Sequence, residues 1–270
     1  PLCDPYVTCL CEGADGALWL GTFGGLVRRD AASCRYHTVQ DGLANDQILS
    51  LAEDGAGSIW VGTATGTSCY QGAQFTSLTT RDGLASDAVL CLAQDRAGAL
   101  CLGTMRGQMC RWDGSRFQAQ TLPAGGSAES PNVWAIVEDA EGRIWCGTAA
   151  ELYWHDGRGF RPSPESRLPG LCGGASALLV DRDGRLWAGG ALYGAEEGSG
   201  LRCYQQGAWA GYTTADGLAS NVVCALAQDR RGRIWVGGGA GEVTLLEGRR
   251  FATIAGLPAS FPGIRDARYH

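Results

Sequence analysis

Histidine is nearly absent from this chain of 270 residues: His37, His155 and His270 are all it has. A Ser-His-Asp or Cys-His catalytic group needs an imidazole beside its nucleophile, so that chemistry is disfavoured at the outset. Positive charge is also short. Lys and Arg total 22 against 28 Asp and Glu, a formal net charge of -6. A nucleic-acid partner wants a basic face, and none is expected here. No apolar run approaches membrane-spanning length, so this stretch is expected to make no membrane contact. No signal peptide is read, and Pro1 already stands inside a repeat, which marks the chain as a piece of something longer. Metal-type spacing is missing too. Of twelve cysteines only Cys9 and Cys11 are close, with no histidine or second pair nearby. No catalytic residue, metal or cofactor is expected.

Glycine, by contrast, abounds, with 42 residues. That share suits an all-β chain with a turn every few residues. A single stretch organises the rest: Glu53-Asp-Gly-Ala-Gly-Ser-Ile-Trp-Val-Gly-Thr63. Versions of it begin at Glu12, Gln94, Glu138, Val180 and Gln228. The Trp position recurs at Trp19, Trp60, Cys101, Trp145, Trp187 and Trp235, at intervals of 41, 41, 44, 42 and 48 residues. A period of that size signals a repeat architecture.

Each part of the stretch has a physical task. The aspartate and the glycine three residues later predict a tight turn, the carboxylate capping local amides. Three apolar residues follow, so the strand is covered on both faces. Tryptophan supplies a buried wall, and Gly-Thr ends the strand where bulk would obstruct the next turn. In the preceding strand small residues (Cys9, Ser50, Cys91, Ala135, Ala177, Ala225) alternate with large ones (Leu10, Leu51, Leu92, Ile136, Leu178, Leu226). A slim face and a bulky face let neighbouring sheets interdigitate around an axis. The fourth strand carries an aromatic (Tyr36, Phe75, Phe117, Phe160, Trp209, Phe251), with a second column five residues earlier in which His155 stands as a packing ring. Asp-Gly-Leu links, at Asp41, Asp82 and Asp216, turn the chain and plug a leucine between sheets.

The expected fold is therefore all-β: a β-propeller of four-stranded antiparallel blades, at about 6–39, 47–80, 88–122, 132–165, 175–214 and 222–255. In the first blade the strands are expected at Val7–Cys11, Ala17–Gly21, Leu26–Arg29 and Cys34–Val39. Residues 256–270 read as the start of a further repeat or a tail, so the ring is six-bladed or a truncated seven-bladed one. Most cysteines occupy columns of small or apolar residues and read as buried free thiols, with disulfides between blades the alternative.

The pattern Asp-x-x-Gly-x-Ile-Trp-Val-Gly-Thr, then a strand ending in an aromatic, then Asp-Gly-Leu, resembles the two-component regulator propeller repeat of bacterial hybrid histidine kinases and related signalling proteins. The likeness runs over nearly the whole chain. It weakens where Cys101 replaces Trp and where Gly190 and Gly238 replace Thr. It implies a periplasmic or otherwise extracytoplasmic module that senses or binds rather than catalyses, often beside a second propeller and an immunoglobulin-like module. Twelve cysteines fit a reducing compartment better, and this conflict stands at the sequence level.

Two loop sets on one face are the candidate contacts. Between the second and third strands of blades stand Arg106 and, in an insertion of the fifth blade, Tyr193, Glu196 and Glu197. The links between blades add Asn45, Asp46, Asp87, Asn132 and Asn221, which serve equally as strand-start caps. The partner is expected to be a small molecule or oligosaccharide, or an adjacent domain of the same protein. Alternatives are a propeller enzyme resembling the streptogramin lyases, which need a histidine and a metal at the channel mouth, and a purely structural scaffold.

Overall fold

The structure, a computed structural model, describes residues 6–123, 132–149, 151–163, 174–190, 198–248 and 250–254. The chain divides into two compact units, Pro1–Ile136 and Val137–His270. In the first unit lie three sheets: β1 (Val7–Glu12), β2 (Leu18–Thr22), β3 (Gly25–Arg29) and β4 (Cys34–His37); β5 (Ile48–Glu53), β6 (Ile59–Thr63), β7 (Gly66–Gln71) and β8 (Gln74–Leu78); β9 (Val89–Gln94), β10 (Leu100–Thr104), β11 (Gln108–Trp112) and β12 (Phe117–Thr121). The unit boundary falls inside β13 (Ala135–Glu138), which opens a sheet continued by β14 (Ile144–Gly147), β15 (Leu152–His155) and β16 (Phe160–Pro162). The second unit holds two more: β17 (Ala177–Val180), β18 (Leu186–Gly189), β19 (Leu201–Gln205) and β20 (Ala208–Tyr212); β21 (Val223–Gln228), β22 (Ile234–Gly238), β23 (Val243–Glu247) and β24 (Arg250–Thr253). Every sheet has four strands in sequence order, the antiparallel blades of a β-propeller. Six blades stand among the described residues.

The turn between the first two strands of a blade is built by its aspartate. Asp54 Oδ1 accepts the amides of Ala56 and Ser58, and Oδ2 accepts the Trp60 indole N–H at 2.8 Å. Asp139, Asp181 and Asp229 repeat the bond to Trp145, Trp187 and Trp235, at 2.6, 2.7 and 3.1 Å. In those three blades an arginine four residues on shares the same carboxylate and lies over the indole. Each tryptophan thus goes into the core with its one donor satisfied. Trp19, Trp60, Trp145 and Trp187 are buried, and Trp235 is half-buried.

Packing follows the predicted alternation at Leu51, Leu92, Ile136, Leu178 and Leu226, but Leu10 of the first blade is exposed, and the glycine column needs a second correction. The first strand carries a one-residue bulge in blades one, two, three and six, and behind it a small residue pairs with glycine: Cys9 with Gly21, Ser50 with Gly62, Cys91 with Gly103, Ala225 with Gly237. The glycine is demanded first by the small side chain opposite it, since the Cys9, Ser50 and Cys91 side chains are the nearest atoms to a Cβ there, and then by the neighbouring blade, rather than by the turn that follows. A Cβ on Gly103 would sit 2.7 Å from Val133 Cγ1 and 3.0 Å from the Val133 carbonyl oxygen. One on Gly21 would sit 2.7 Å from Ile48 Cγ2.

In the first blade, strand two runs Leu18–Thr22 rather than Ala17–Gly21, since Asp15 Oδ1 holds the Ala17 amide in the turn. The fourth strand ends at His37 rather than Val39, because Thr38 caps a 3-10 turn at Val39–Asp41. The link leucines Leu43, Leu84 and Leu218 are buried in the clusters between blades, as expected. The aromatic columns meet as cross-strand pairs, Tyr70 with Phe75 at 4.8 Å and Trp112 with Phe117 at 4.7 Å between ring centroids. His155 takes its place in that column, 5.0 Å from Phe160. His37 packs among Trp19, Tyr70 and Phe75, and burial lowers its pKa below the ordinary imidazole value.

All ten described cysteines are free thiols. Cys101, Cys110, Cys146 and Cys203 are buried, whereas Cys34 is exposed. Burial pushes the Cys91 thiol up to about 12 and those of Cys9 and Cys203 to about 11. Thiol titration of the native protein at neutral pH should label Cys34 fast and the buried ones only after denaturation. Fast labelling of Cys101, Cys110, Cys146 or Cys203 in the native protein, read by peptide mapping, would contradict this placement. The glycine column makes a second prediction. Gly103→Ala should destabilise by about 1–3 kcal/mol through overpacking. Gly159→Ala, where a Cβ meets nothing within 4 Å, should change stability by less than about 0.5 kcal/mol, both read from urea midpoints.

Candidate functional site

The links between blades and the turns between second and third strands share one end of each sheet. Three links follow one design. Thr38, Thr79 and Thr213 each cap a 3-10 turn whose third residue, Asp41, Asp82 or Asp216, accepts the threonine's own amide. Glycine in the left-handed region, at φ 106° for Gly42, 96° for Gly83 and 106° for Gly217, ends the turn. The alanine after the link leucine is then held from below: Ala44, Ala85 and Ala219 donate to Ser68 Oγ, Cys110 Sγ and Thr244 Oγ1. These acceptors occupy one column of the third strand.

Within that frame the link residues Asp46, Asp87 and Asn221 are equivalent. Each side chain accepts the amide of the first residue of its 3-10 turn: Val39 to Asp46 at 2.8 Å, Thr80 to Asp87 at 2.7 Å, Thr214 to Asn221 at 2.8 Å. Asp87 Oδ2 also takes the Thr80 hydroxyl at 3.4 Å. Asn45 accepts the Gln47 amide and donates to Thr65 Oγ1, which in turn donates to the Ala44 carbonyl. In the second blade, therefore, the turn tip is fastened down onto its own link.

The third blade lacks this side-chain fastening, although the Met105 amide still bonds the Ala88 carbonyl of its own link at 3.3 Å. Ten residues separate Trp60 from Tyr70, but eleven separate Cys101 from Trp112, and the extra one lies in the turn Thr104-Met105-Arg106-Gly107-Gln108. Arg106 and Gly107 both have positive φ, 63° and 68°. Arg106 stands at the tip where the second blade has Thr65, and its amide is bonded at 3.2 Å to Asn132 Oδ1, on the following link. Between this tip and the 80–88 link a cavity of about 660 Å³ opens, lined by Thr80, Ala85, Ser86, Asp87, Ala88, Met105, Arg106, Gln108 and Thr121. Of the expected contacts, the fold brings together Asp87, Arg106 and Asn132. It leaves Asn45 and Asp46 on another link of the first unit and Asn221 in the second unit. Tyr193, Glu196 and Glu197 lie outside the described residues.

Charges tell this cavity from its rivals. At the opposite end of the same sheets a cavity of about 580 Å³ is lined by Asp54, Arg111 and Asp113 among others. There Arg111 is paired to Asp95 at 2.6 Å, Asp54 is engaged by its turn, and Asp113 takes Ser115, Arg116 and Gln118. In this blade, where Cys101 stands in the tryptophan position, the Asp95 carboxylate holds Arg111 and no indole. Arg106 has an exposed side chain that makes no ion pair or hydrogen bond among the described residues. Ser86, Gln108, Thr80 and Thr121 are cavity residues that the sequence reading missed. The one-residue excess between Cys101 and Trp112 was the signal that could have found them. It also missed the fully buried Arg202 of the second unit, which donates to the Gly174 carbonyl and stacks on Trp209.

Comparison with known proteins bears on fold and family. The family described as two component regulator propeller matches at residues 1–24, 42–65, 127–150 and 217–240. Among solved structures the chain is similar to the extracellular domain of BT4673 from B. thetaiotaomicron, assigned to a hybrid two component system. Identity is 20% over 89% of this chain and 38% of that one, with a TM-score of 0.61. A second such domain, BT3049 from the same organism, is 18% identical over 93% of this chain and 46% of that one, with a TM-score of 0.63. Virginiamycin B lyase from Staphylococcus aureus is 12% identical over 93% and 84%, with a TM-score of 0.74. These likenesses establish the propeller fold, and the chain spans less than half the length of the two-component domains it matches. Sequence comparison with curated proteins gives no match.

The link geometry itself is testable. Asp87→Ala strands the Thr80 amide and hydroxyl and should cost about 0.5–2 kcal/mol, the range for a lost cap. Asp87→Asn keeps the acceptor oxygen and should retain most of the stability, both measured by chemical denaturation.

Proposed function

We propose that this chain, which carries the repeats of the two component regulator propeller family, is the non-catalytic sensing module of a signalling protein and that it binds its ligand in the third-blade cavity. The observation that carries the reading is the Arg106 side chain, which stands free at a tip whose second-blade counterpart is bonded to its link. One blade departs from the repeat by a single residue, and a concave polar space with an unpaired cation results. Departures from a repeat are where individual function sits, and about 660 Å³ is within the range of small-molecule sites. The two-component neighbours, whose matched parts are extracellular domains, support the sensor role and an extracytoplasmic, in bacteria periplasmic, location. No helix among the described residues is long and apolar enough to cross a membrane.

A lyase reading has the support of fold similarity alone, and of the three histidines His270 lies outside the described residues. His37 and His155 are packed in sheets, His155 accepting the Gly157 amide, and neither lines the cavity. The cavity's one carboxylate, Asp87, is engaged by Thr80. Free thiols in an extracytoplasmic protein are tolerable where burial withholds the thiolate, as at Cys91, Cys9 and Cys203.

A thermal-shift panel of oligosaccharides and small metabolites tests the proposal, with Ser86→Trp as the variant that fills the cavity. A ligand that raises the melting temperature of the parent protein and leaves the folded variant unmoved is the expected result. Silence across the panel with folded protein would turn the reading to an interaction scaffold that docks an adjacent domain.

A further inference from the structure

We infer that the third-blade cavity recognises a hydroxylated small molecule through a carboxylate held by Arg106, a uronic acid being the simplest case. The inference rests on the cavity being the ligand site. Its lining has two formal charges, Asp87 and Arg106. Asp87 is turned into its own link, with Oδ1 on the Thr80 amide and Oδ2 on the Thr80 hydroxyl, 2.7 and 3.4 Å away. That leaves Arg106 as the charge in the cavity with no protein partner among the described residues. Other arginines are paired, as Arg28 is with Asp15 and Asp30 and Arg111 with Asp95, and others such as Arg81 and Arg158 make no ion pair among the described residues; Arg106 differs from these in lining the cavity.

The backbone marks the same residue: of the three non-glycine residues at positive φ among those described, Ala73, Arg106 and Gln206, Arg106 is the one that lines this cavity. Arg106 is held at φ 63°, a region that favours glycine, and it stands where the shorter second-blade turn places Thr65. Non-glycine residues in this region cluster at binding sites, because the surrounding structure must hold them there. Here the holding bonds are visible: the Met105 amide to the Ala88 carbonyl at 3.3 Å, the Thr104 hydroxyl to the Gln108 carbonyl at 2.9 Å, and the Arg106 amide to Asn132 Oδ1 at 3.2 Å. The tip is thus fixed on both sides while its guanidinium is left unpaired.

Charge balance decides between anions. A carboxylate brings one negative charge and a planar pair of oxygens that matches the guanidinium fork. A phosphate dianion would bring two against a single cation, with the Asp87 carboxylate in the same lining. The remaining polar groups are neutral. Ser86 and Gln108 offer a hydroxyl and a carboxamide without partners among the described residues, suited to ligand hydroxyls.

The test is isothermal titration of the full chain with D-glucuronate, D-glucose and inorganic phosphate at matched ionic strength, with Arg106→Gln and Ser86→Trp alongside. Glucuronate should bind at least about tenfold more tightly than glucose, the scale of one charge-assisted hydrogen bond. Arg106→Gln should erase that preference while keeping its urea midpoint, and Ser86→Trp should abolish binding. Glucose binding as tightly, or preference surviving Arg106→Gln, would overturn the inference and leave the cavity reading standing. Phosphate binding more tightly than glucuronate would overturn it as well. Glucuronate binding untouched by Ser86→Trp would overturn both. No binding of any probe overturns the carboxylate inference, and a hit elsewhere in the panel that Ser86→Trp blocks would keep the cavity as the site.

Discussion

The bond from an aspartate carboxylate to the indole N–H six residues later is the interaction on which the blades depend. One carboxylate oxygen closes the first turn and the other lets a tryptophan enter the core without a stranded donor. The buried indole then forms the wall against which the next blade packs, as Trp19, Trp60, Trp145 and Trp187 do within their clusters. Glycine opposite the first-strand bulge sets how closely that next blade approaches. Where the aspartate or the tryptophan is missing, the local bonds are replaced one by one. Gly13 stands in the first blade where Asp54 stands in the second, and Glu53 of that second blade accepts the Ala14 amide there. Asp95 holds Arg111 in the blade that has Cys101.

A repeat stabilised in this way tolerates change at the other end of its sheets. The links are held by their own capping threonines, by the Asp46, Asp87 and Asn221 side chains and by one third-strand acceptor each, so a turn tip is free to vary. One added residue exchanges a threonine that fastens the tip for an arginine that does not, and the cavity follows. The candidate site is thus a local exception resting on a rigid, repeated frame, which is the arrangement that keeps a binding group in place without help from the ligand.

Much of this was legible in the sequence. Strand number, the plugging leucines, the packing role of His155 and the buried tryptophans all follow from periodicity, because each repeat buries the same positions for the same reason. The strand ends were off by a residue or two, where Thr38 and Asp15 make capping bonds that periodicity does not record. The role of the Gly-Thr glycine was misplaced. Its crowding comes from the paired Cys9 or Cys91 of its own blade and from Ile48 and Val133 on other blades, about 30 residues along the chain, and the turn that follows it does not show this.

The candidate residues divide along the same line. Asp46, Asp87 and Asn221 looked alike in sequence and are alike in structure, all three bonded to their own link. Arg106 stood out only as a charged loop residue until the fold showed which groups near it were already engaged. Sequence by itself determined the repeat, because turn chemistry and alternation are local and act within a few residues. Only the tertiary structure decided which polar side chains are left over to meet a ligand, because hydrogen-bond partners 26 residues apart, such as Arg106 and Asn132, are set by how strands pair and blades stack.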